Sequence, residues 1–333
     1  MPSPTKPRAV RGGIDLGGTK IEAAIVDARN NVLGQARRPT PTEGGPEDVI
    51  AQMVGAVREA AGAAHLDTHE LIGIGVGSPG VIDPVSGSVS TARNLPGWEG
   101  HYPMATALST ELKTPVHVGN DVSVATDAEF RLGAGKPYKS LLGVFWGTGV
   151  GGGLILNGRD WSGRGGAGEI GHVVVKVGGA RCPCGRRGCM EAYAGRAAME
   201  GRARKRAKKG TKTDLFKIME QRGRTRLTSA VWEQALHRGD KLAMQLIDDA
   251  VTALGAGVAS AVNLLDVEAV IIGGGLGVRL GEPFVERIGS AMAPHLFHDA
   301  EPPKMHLAAL GDLGGALGAA LLVPRRLPQV NFA

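Results

Sequence analysis

One plan is written twice in this chain, and the repetition constrains the fold more than any single motif. Residues 12–34 (GGIDLGGTKIEAAIVDARNNVLG) read apolar strand, Gly/Thr turn, apolar strand, polar turn. Residues 141–163 (LLGVFWGTGVGGGLILNGRDWSG) repeat that order. The apolar runs are short and bounded by turn signals, as hairpins require. A second echo follows each: LIGIGVGSPG at 71–80 and VEAVIIGGGLG at 267–277, buried-type strands that lead into glycine loops. With 333 residues the chain can bury two cores. The repetition predicts two α/β lobes on one plan with a cleft between their glycine turns. The alternative is one large doubly wound sheet. Helices are expected at about 46–63, 102–112 and 121–132, across much of 195–236, and at 241–264.

Glycine is 52 of the 333 residues, about twice the usual share, and it clusters at the turns. In Asp15-Leu16-Gly17-Gly18-Thr19-Lys20 the absence of Cβ lets backbone N–H groups and a hydroxyl approach phosphate oxygens. Asp15, at the end of the preceding strand, could hold Mg²⁺ through water. A strand follows this turn, so it is neither a Walker loop nor a dinucleotide fingerprint, and a dehydrogenase is excluded. The second turn, Gly147 to Gly153, offers Gly147, Thr148, Gly149 and Gly151 in the same way. Gly273 to Gly275 closes a strand before a helix, which makes Gly274 and Gly275 a floor for adenine and ribose. A bare glycine hairpin explains one such loop, but three together favour a nucleotide. Adding a Cβ at Gly149 should then weaken donor binding and leave sugar binding nearly intact.

Asn120-Asp121 joins strand PVHV to a helix. Asp121 could be a helix N-cap and nothing more. It also stands at a strand's carboxyl end, where a carboxylate can take the proton of a hydroxyl attacking phosphorus. Glu169, Glu191 and Asn94 add polar groups of the kind that satisfy a polyol's hydroxyls. The three cysteines, Cys182, Cys184 and Cys189, fall within eight positions, ten residues after His172. One nitrogen and three sulfurs make a closed four-ligand set for structural Zn²⁺. Gly185 and Gly188 supply the turns, and Arg181, Arg186 and Arg187 favour thiolates. Packing alone explains this Gly/Arg-rich loop poorly.

The motifs IDLGGTKIEAAIVD, GVGSPGVID, NLPGW, VGND, GTGVGGGLILNG, GGAGEIGH, CPCGRRGCMEAY and VIIGGG extend over nearly the whole chain. Together they resemble the ROK family (repressors, open reading frames and kinases), bacterial sugar kinases of the actin-like ATPase superfamily. The resemblance implies a two-lobed, duplicated, ribonuclease H-like α/β fold. It implies a smaller lobe over 10–119 plus a C-terminal helix at about 312–323, and a larger lobe over 120–311 with the zinc loop and dimerisation helices. It makes Asp121 the catalytic base. Gly80, Asn94, Asn120, Asp121, Glu169, His172 and Glu191 become sugar contacts, with His172 also a zinc ligand. The expected activity is ATP-dependent phosphorylation of a hexose, glucose before mannose, fructose, N-acetylglucosamine or N-acetylmannosamine. Mg²⁺ would come with ATP, polyphosphate is a possible donor, and a homodimer or dimer of dimers is expected.

A sugar-responsive repressor of that family carries a helix-turn-helix ahead of the first hairpin, where only about nine residues stand here. No run reaches the roughly 18 consecutive apolar residues of a membrane span, and the N-terminus lacks a signal-peptide core, so a cytoplasmic protein is expected. The net charge of +6 is concentrated in RARKRAKK at 202–209. That run reads as a solvated helix face rather than a nucleic-acid surface, with an anionic donor or partner as the sharper alternative.

Overall fold

The structure is a computed structural model that describes residues 9–92, 95–98, 100–298 and 300–324. In chain order, the first half runs β1 (Arg11–Leu16), β2 (Lys20–Val26), β3 (Val32–Pro39), α1 (Pro46–Ala63), β4 (Ile74–Ser78), β5 (Val81–Ile82), β6 (Val89–Ser90), β7 (His101–Tyr102), α2 (Met104–Leu112), β8 (Val116–Asn120) and α3 (Asp121–Leu132). The second begins β9 (Leu141–Trp146), β10 (Val150–Leu156), β11 (Arg159–Asp160), α4 (Glu191–Ala194), α5 (Arg196–Lys208), α6 (Leu215–Gln221), α7 (Ser229–His237) and α8 (Lys241–Leu265). It ends β12 (Ala269–Gly273), α9 (Gly274–Leu280), α10 (Glu282–Met292), β13 (Lys304–Leu307) and α11 (Gly314–Leu321). The chain divides into two compact units, one of residues 1–131 and 310–333, the other of residues 132–309.

In the first unit the sheet order is β3-β2-β1-β4-β8. The two hairpins are antiparallel, whereas β1, β4 and β8 are mutually parallel. Parallel neighbours need a crossover, and α1 and α2 supply the two. Strand β1 is buried on both faces. On one face α1 presents Val49, Met53, Ala56, Val57 and Ala60, spaced three and four apart. On the other, α11 lies so close that a Cβ at Gly13 would overlap the Ala316 carbonyl, and one at Gly75 the Ala319 carbonyl. Those two glycines and the small residues of α11 (GGALGAAL) are one adaptation. A short three-stranded sheet, β5-β6-β7, sits beside Gly80.

The second unit repeats the order as β11-β10-β9-β12-β13, with β9 and β10 antiparallel and β9, β12 and β13 parallel. The duplication read in the sequence is thus a duplication of sheet topology. Helix α8 is long and apolar enough to cross a membrane by length and composition alone. Leu246, Ile247, Leu254 and Val258 are nevertheless fully buried in this unit's core, about 1.5–3 kcal/mol of transfer free energy each. Of the basic run on α5, Arg202 pairs with Asp249, Arg204 with Glu200 and Arg206 with Gln245. Two of the six cations in that run are therefore in ion pairs within their own unit, while Lys205, Lys208 and Lys209 are exposed.

Candidate active site and metal clip

In the first unit the turn between β1 and β2 is pinned from both ends. The Gly17 N–H donates to the Lys20 carbonyl (3.0 Å), and the Thr40 hydroxyl donates to the Gly17 carbonyl (2.6 Å). Gly18 and Thr19 stand exposed between those anchors. Lys20 does not extend freely. Its ammonium donates to Glu22 (2.9 Å) and lies 3.5 Å from Asp312, while Arg37 binds both carboxylates. Asp15 sits beneath this network, against Gly315 of α11. Burial pushes its carboxyl up to about 6; Lys20 opposes that, and Glu22 and Asp312 add to it. A carboxylate stripped of water in this way suits a hydrated divalent cation.

At the other end of the sheet, β8 runs directly into α3. The helix cap is Asn120 rather than Asp121: its Oδ1 accepts from the N–H groups of Val122 (3.1 Å) and Ser123 (3.2 Å). Asp121 Oδ1 accepts from Val122 N as well (3.0 Å). Gly77 on β4 lets the chain at Asp121 come close, its Cβ position lying 3.3 Å from the Asp121 Cα. Gly80 has φ +99°, and a Cβ there would press on the Ser90 carbonyl at 2.6 Å. Backbone geometry alone thus demands that glycine. Asn94 lies outside the described residues.

In the second unit the turn is shorter than the glycine run implies. Strand β10 starts at Val150, and Gly151 pairs with Phe145 in the ladder, so Gly151 to Gly153 are strand residues. The turn proper is Gly147 to Gly149, closed by Gly147 N–H to the Gly149 carbonyl (3.0 Å). The carbonyls of Gly147 and Thr148 accept the first two N–H groups of α5, from Arg196 (3.2 Å) and Ala197 (3.0 Å). Arg196 also donates through its guanidinium to Thr148 Oγ1 (2.8 Å) and Ser229 Oγ (3.1 Å). Gly274 has φ +79°, and Gly275 lies near both Gly147 and Ser229. The turn and the first residues of α9 therefore meet. Neither Arg196 nor Thr40 stands out in the sequence, because each acts through a partner distant along the chain.

The cysteine loop closes on itself. Cys182 N–H donates to the Arg186 carbonyl (2.8 Å), and Gly185 (φ +92°) and Gly188 (φ +84°) make its turns. The ligating atoms of His172, Cys182, Cys184 and Cys189 all lie within 4.8 Å of one another. Cys184 Sγ is 3.7 Å from Cys189 Sγ, and Cys182 Sγ is 3.8 Å from His172 Nδ1. A tetrahedral zinc with Zn–S near 2.3 Å requires S···S edges of about 3.8 Å, so the donor set and its spacing fit. Burial raises the thiols of Cys182 and Cys189. Burial also works against Cys184, but the Arg186 backbone and guanidinium, with the neighbouring thiols, bring it below the usual range. A bound cation would favour the thiolate at all three.

The same loop reaches the polar groups on either side. His172 turns Nδ1 to the sulfurs and Nε2 toward Glu169, 3.8 Å away. Glu191 Oε1 lies 3.8 Å from Cys182 Sγ, while its Oε2 accepts the Val150 N–H at 2.9 Å. Glu169, His172 and Glu191 are thus gathered around the clip, and Glu191 ties the clip to the glycine turn.

Duplicated α/β units that each begin with a glycine-turned hairpin, one of them carrying a Cys₃His clip, match the fold and zinc loop that the ROK resemblance implies. The chain belongs to the ROK family, which it matches over residues 11–326, and it is a sugar kinase. The glucokinase of Halalkalibacterium halodurans is 32% identical over 319 residues, 94% of each chain. The N-acetyl-D-glucosamine kinase of Pectobacterium atrosepticum is 32% identical over 326 residues, 93% of this chain and 97% of its own. A ROK glucokinase from Streptomyces griseus, solved with glucose and AMPPNP, superposes with a TM-score of 0.80 at 30% identity, covering 94% of this chain and 99% of its own.

Proposed function

We propose that this kinase transfers the terminal phosphoryl group of ATP to the 6-hydroxyl of glucose. The observation that carries the reading is the near full-length likeness to a glucokinase solved with glucose and AMPPNP. Asp121 takes the proton of the attacking hydroxyl as the new O–P bond forms, and ADP leaves. Asn120 offers its side-chain amide, its Oδ1 being committed to the cap. With Glu169, His172 and Glu191, and with Gly80 and Asn94, it binds the sugar hydroxyls. We assign the donor's phosphates to the turns at Gly17, Gly18, Thr19 and Lys20 and at Gly147, Thr148 and Gly149. Gly274 and Gly275 underlie the nucleoside.

Mg²⁺ entering with ATP neutralises phosphate charge, and Asp15 would hold it through water. Zinc would be held by His172, Cys182, Cys184 and Cys189, fixing the ring whose other nitrogen faces Glu169. The N-acetyl-D-glucosamine kinase at the same identity supports a second reading, in which the acceptor carries a 2-acetamido group. A coupled assay crossing glucose, mannose, fructose, N-acetylglucosamine and N-acetylmannosamine with ATP, ADP and polyphosphate decides between them. Glucose with ATP should give the highest kcat/KM. A higher value for an N-acetylated sugar would replace glucose, and sugar binding without turnover would point to a regulator.

A further inference from the structure

We propose that Arg196 is a positioning residue for the phosphoryl donor, holding the hydroxyls of Thr148 and Ser229 so that both donate to it. The inference rests on the reading of the Gly147–Gly149 turn as a donor site and adds a residue to it. A guanidinium carries only donors, so each hydroxyl it touches must accept. Thr148 Oγ1 accepts at 2.8 Å and Ser229 Oγ at 3.1 Å. Each then keeps a single proton to give away. Among the described residues neither hydroxyl donates to a protein acceptor, although Ser229 is buried. Two hydroxyl donors flanking a cation form an anion-recognising set, and one belongs to the turn already assigned to phosphate.

The surrounding charge agrees. Arg196 has no carboxylate within ion-pair distance among the described residues, whereas its neighbour Arg226 is paired with Glu200 at 3.2 Å. Burial, and then Arg226, weaken the hold of Arg196 on its proton, while Glu200 opposes them. A half-buried guanidinium left in excess over its carboxylates is stabilised when an anion arrives. The same residue fastens the turn mechanically, because its backbone N–H caps the Gly147 carbonyl at 3.2 Å. Ser229 extends the reach, since its Oγ lies 3.7 Å from where a Cβ on Gly275 would be. One side chain thus links the phosphate turn to the start of α9, assigned to the nucleoside.

The test uses the full-length protein and separate titrations with AMPPNP–Mg²⁺ and with glucose. Arg196→Gln should weaken AMPPNP binding about tenfold or more and leave glucose affinity within about twofold. Arg196→Lys, which keeps the charge but cannot span both hydroxyls, should recover only part of the loss. Unchanged AMPPNP affinity, or equal loss of both ligands, overturns the proposal; a mere staple would lower both together. Thr148→Val separates the underlying reading. If it leaves AMPPNP binding unchanged, the turn is not a donor site and that assignment falls. If it weakens AMPPNP while Arg196→Gln does not, only the role of Arg196 falls. Should Arg196→Gln not fold, Ser229→Ala removes one hydroxyl and keeps the guanidinium. It should still cost about threefold in AMPPNP affinity and nothing in glucose affinity, and no change in either overturns the proposal.

Discussion

Gly149→Ala tests how closely the donor turn and the sugar groups are joined. The sequence suggests that a Cβ here would disturb the donor alone. In the structure that Cβ would overlap Glu191 Oε2 and lie 3.2 Å from the Glu191 Cδ. The obstruction is the free end of a flexible side chain, so the carboxylate swings aside and the backbone need not move. The cost is then chemical rather than steric. Glu191 Oε2 accepts the Val150 N–H at 2.9 Å, and Val150 is buried, so an orphaned donor costs about 1–3 kcal/mol of stability. The displaced carboxylate is also one of the proposed sugar acceptors, and losing one charged hydrogen bond corresponds to about tenfold or more in affinity. Calorimetric titration with glucose and AMPPNP in turn, together with a thermal melt, reads all three effects. Glucose affinity within about twofold of the parent, with an unshifted Tm, would refute the argument, because it would mean that Glu191 neither supports Val150 nor meets the sugar.

Asp121→Asn should lower kcat by at least about a hundredfold with near-normal folding, since Asn120 already caps α3; retention of most of the kcat would remove Asp121 as the base. Asn120→Ala, by contrast, should cost about 1 kcal/mol of stability in a denaturant melt, and no loss would show that the cap is idle. Cys184→Ser should release zinc from the purified protein, lower Tm and weaken glucose binding, and an elemental analysis of the parent without zinc would sink the clip. Glu200 opposes its own burial with bonds from Arg204, the Leu227 N–H and Arg226, and its carboxyl falls below its ordinary value. Its stabilisation is therefore complete above the ordinary carboxylate range and is lost as pH falls through the depressed value. Glu200→Gln should cost about 2 kcal/mol at pH 7 and flatten the acid limb of a pH–stability profile; an unchanged limb would show that the group does not drive it.

Much of the fold was legible because repetition and period are local properties of a chain. The two hairpins, the α/β echoes at 71–80 and 267–277, and helices such as α1, α3 and α8 follow from apolar spacing and turn residues alone. The Cys₃His set was equally plain, since its three sulfurs are neighbours in sequence and its glycines permit the turns. Other features depend on which distant backbone arrives beside a residue. Gly13 and Gly75 are glycines because α11, some 240 residues or more further on, lies against them. The cap of α3 fell to Asn120 because the strand continues to that residue before the helix starts, a boundary that propensity fixes only loosely. Gly151 to Gly153 read as turn yet lie in β10, because ladder pairing with β9 outweighs their weak strand preference. Arg196, Thr148 and Ser229 are brought together across 81 residues by helix packing, and Glu191 reaches Val150 across 41. Local pattern set the elements and the kinds of chemistry they carry. Which side chains share a hydrogen bond depended on packing between distant segments, which no local pattern encodes.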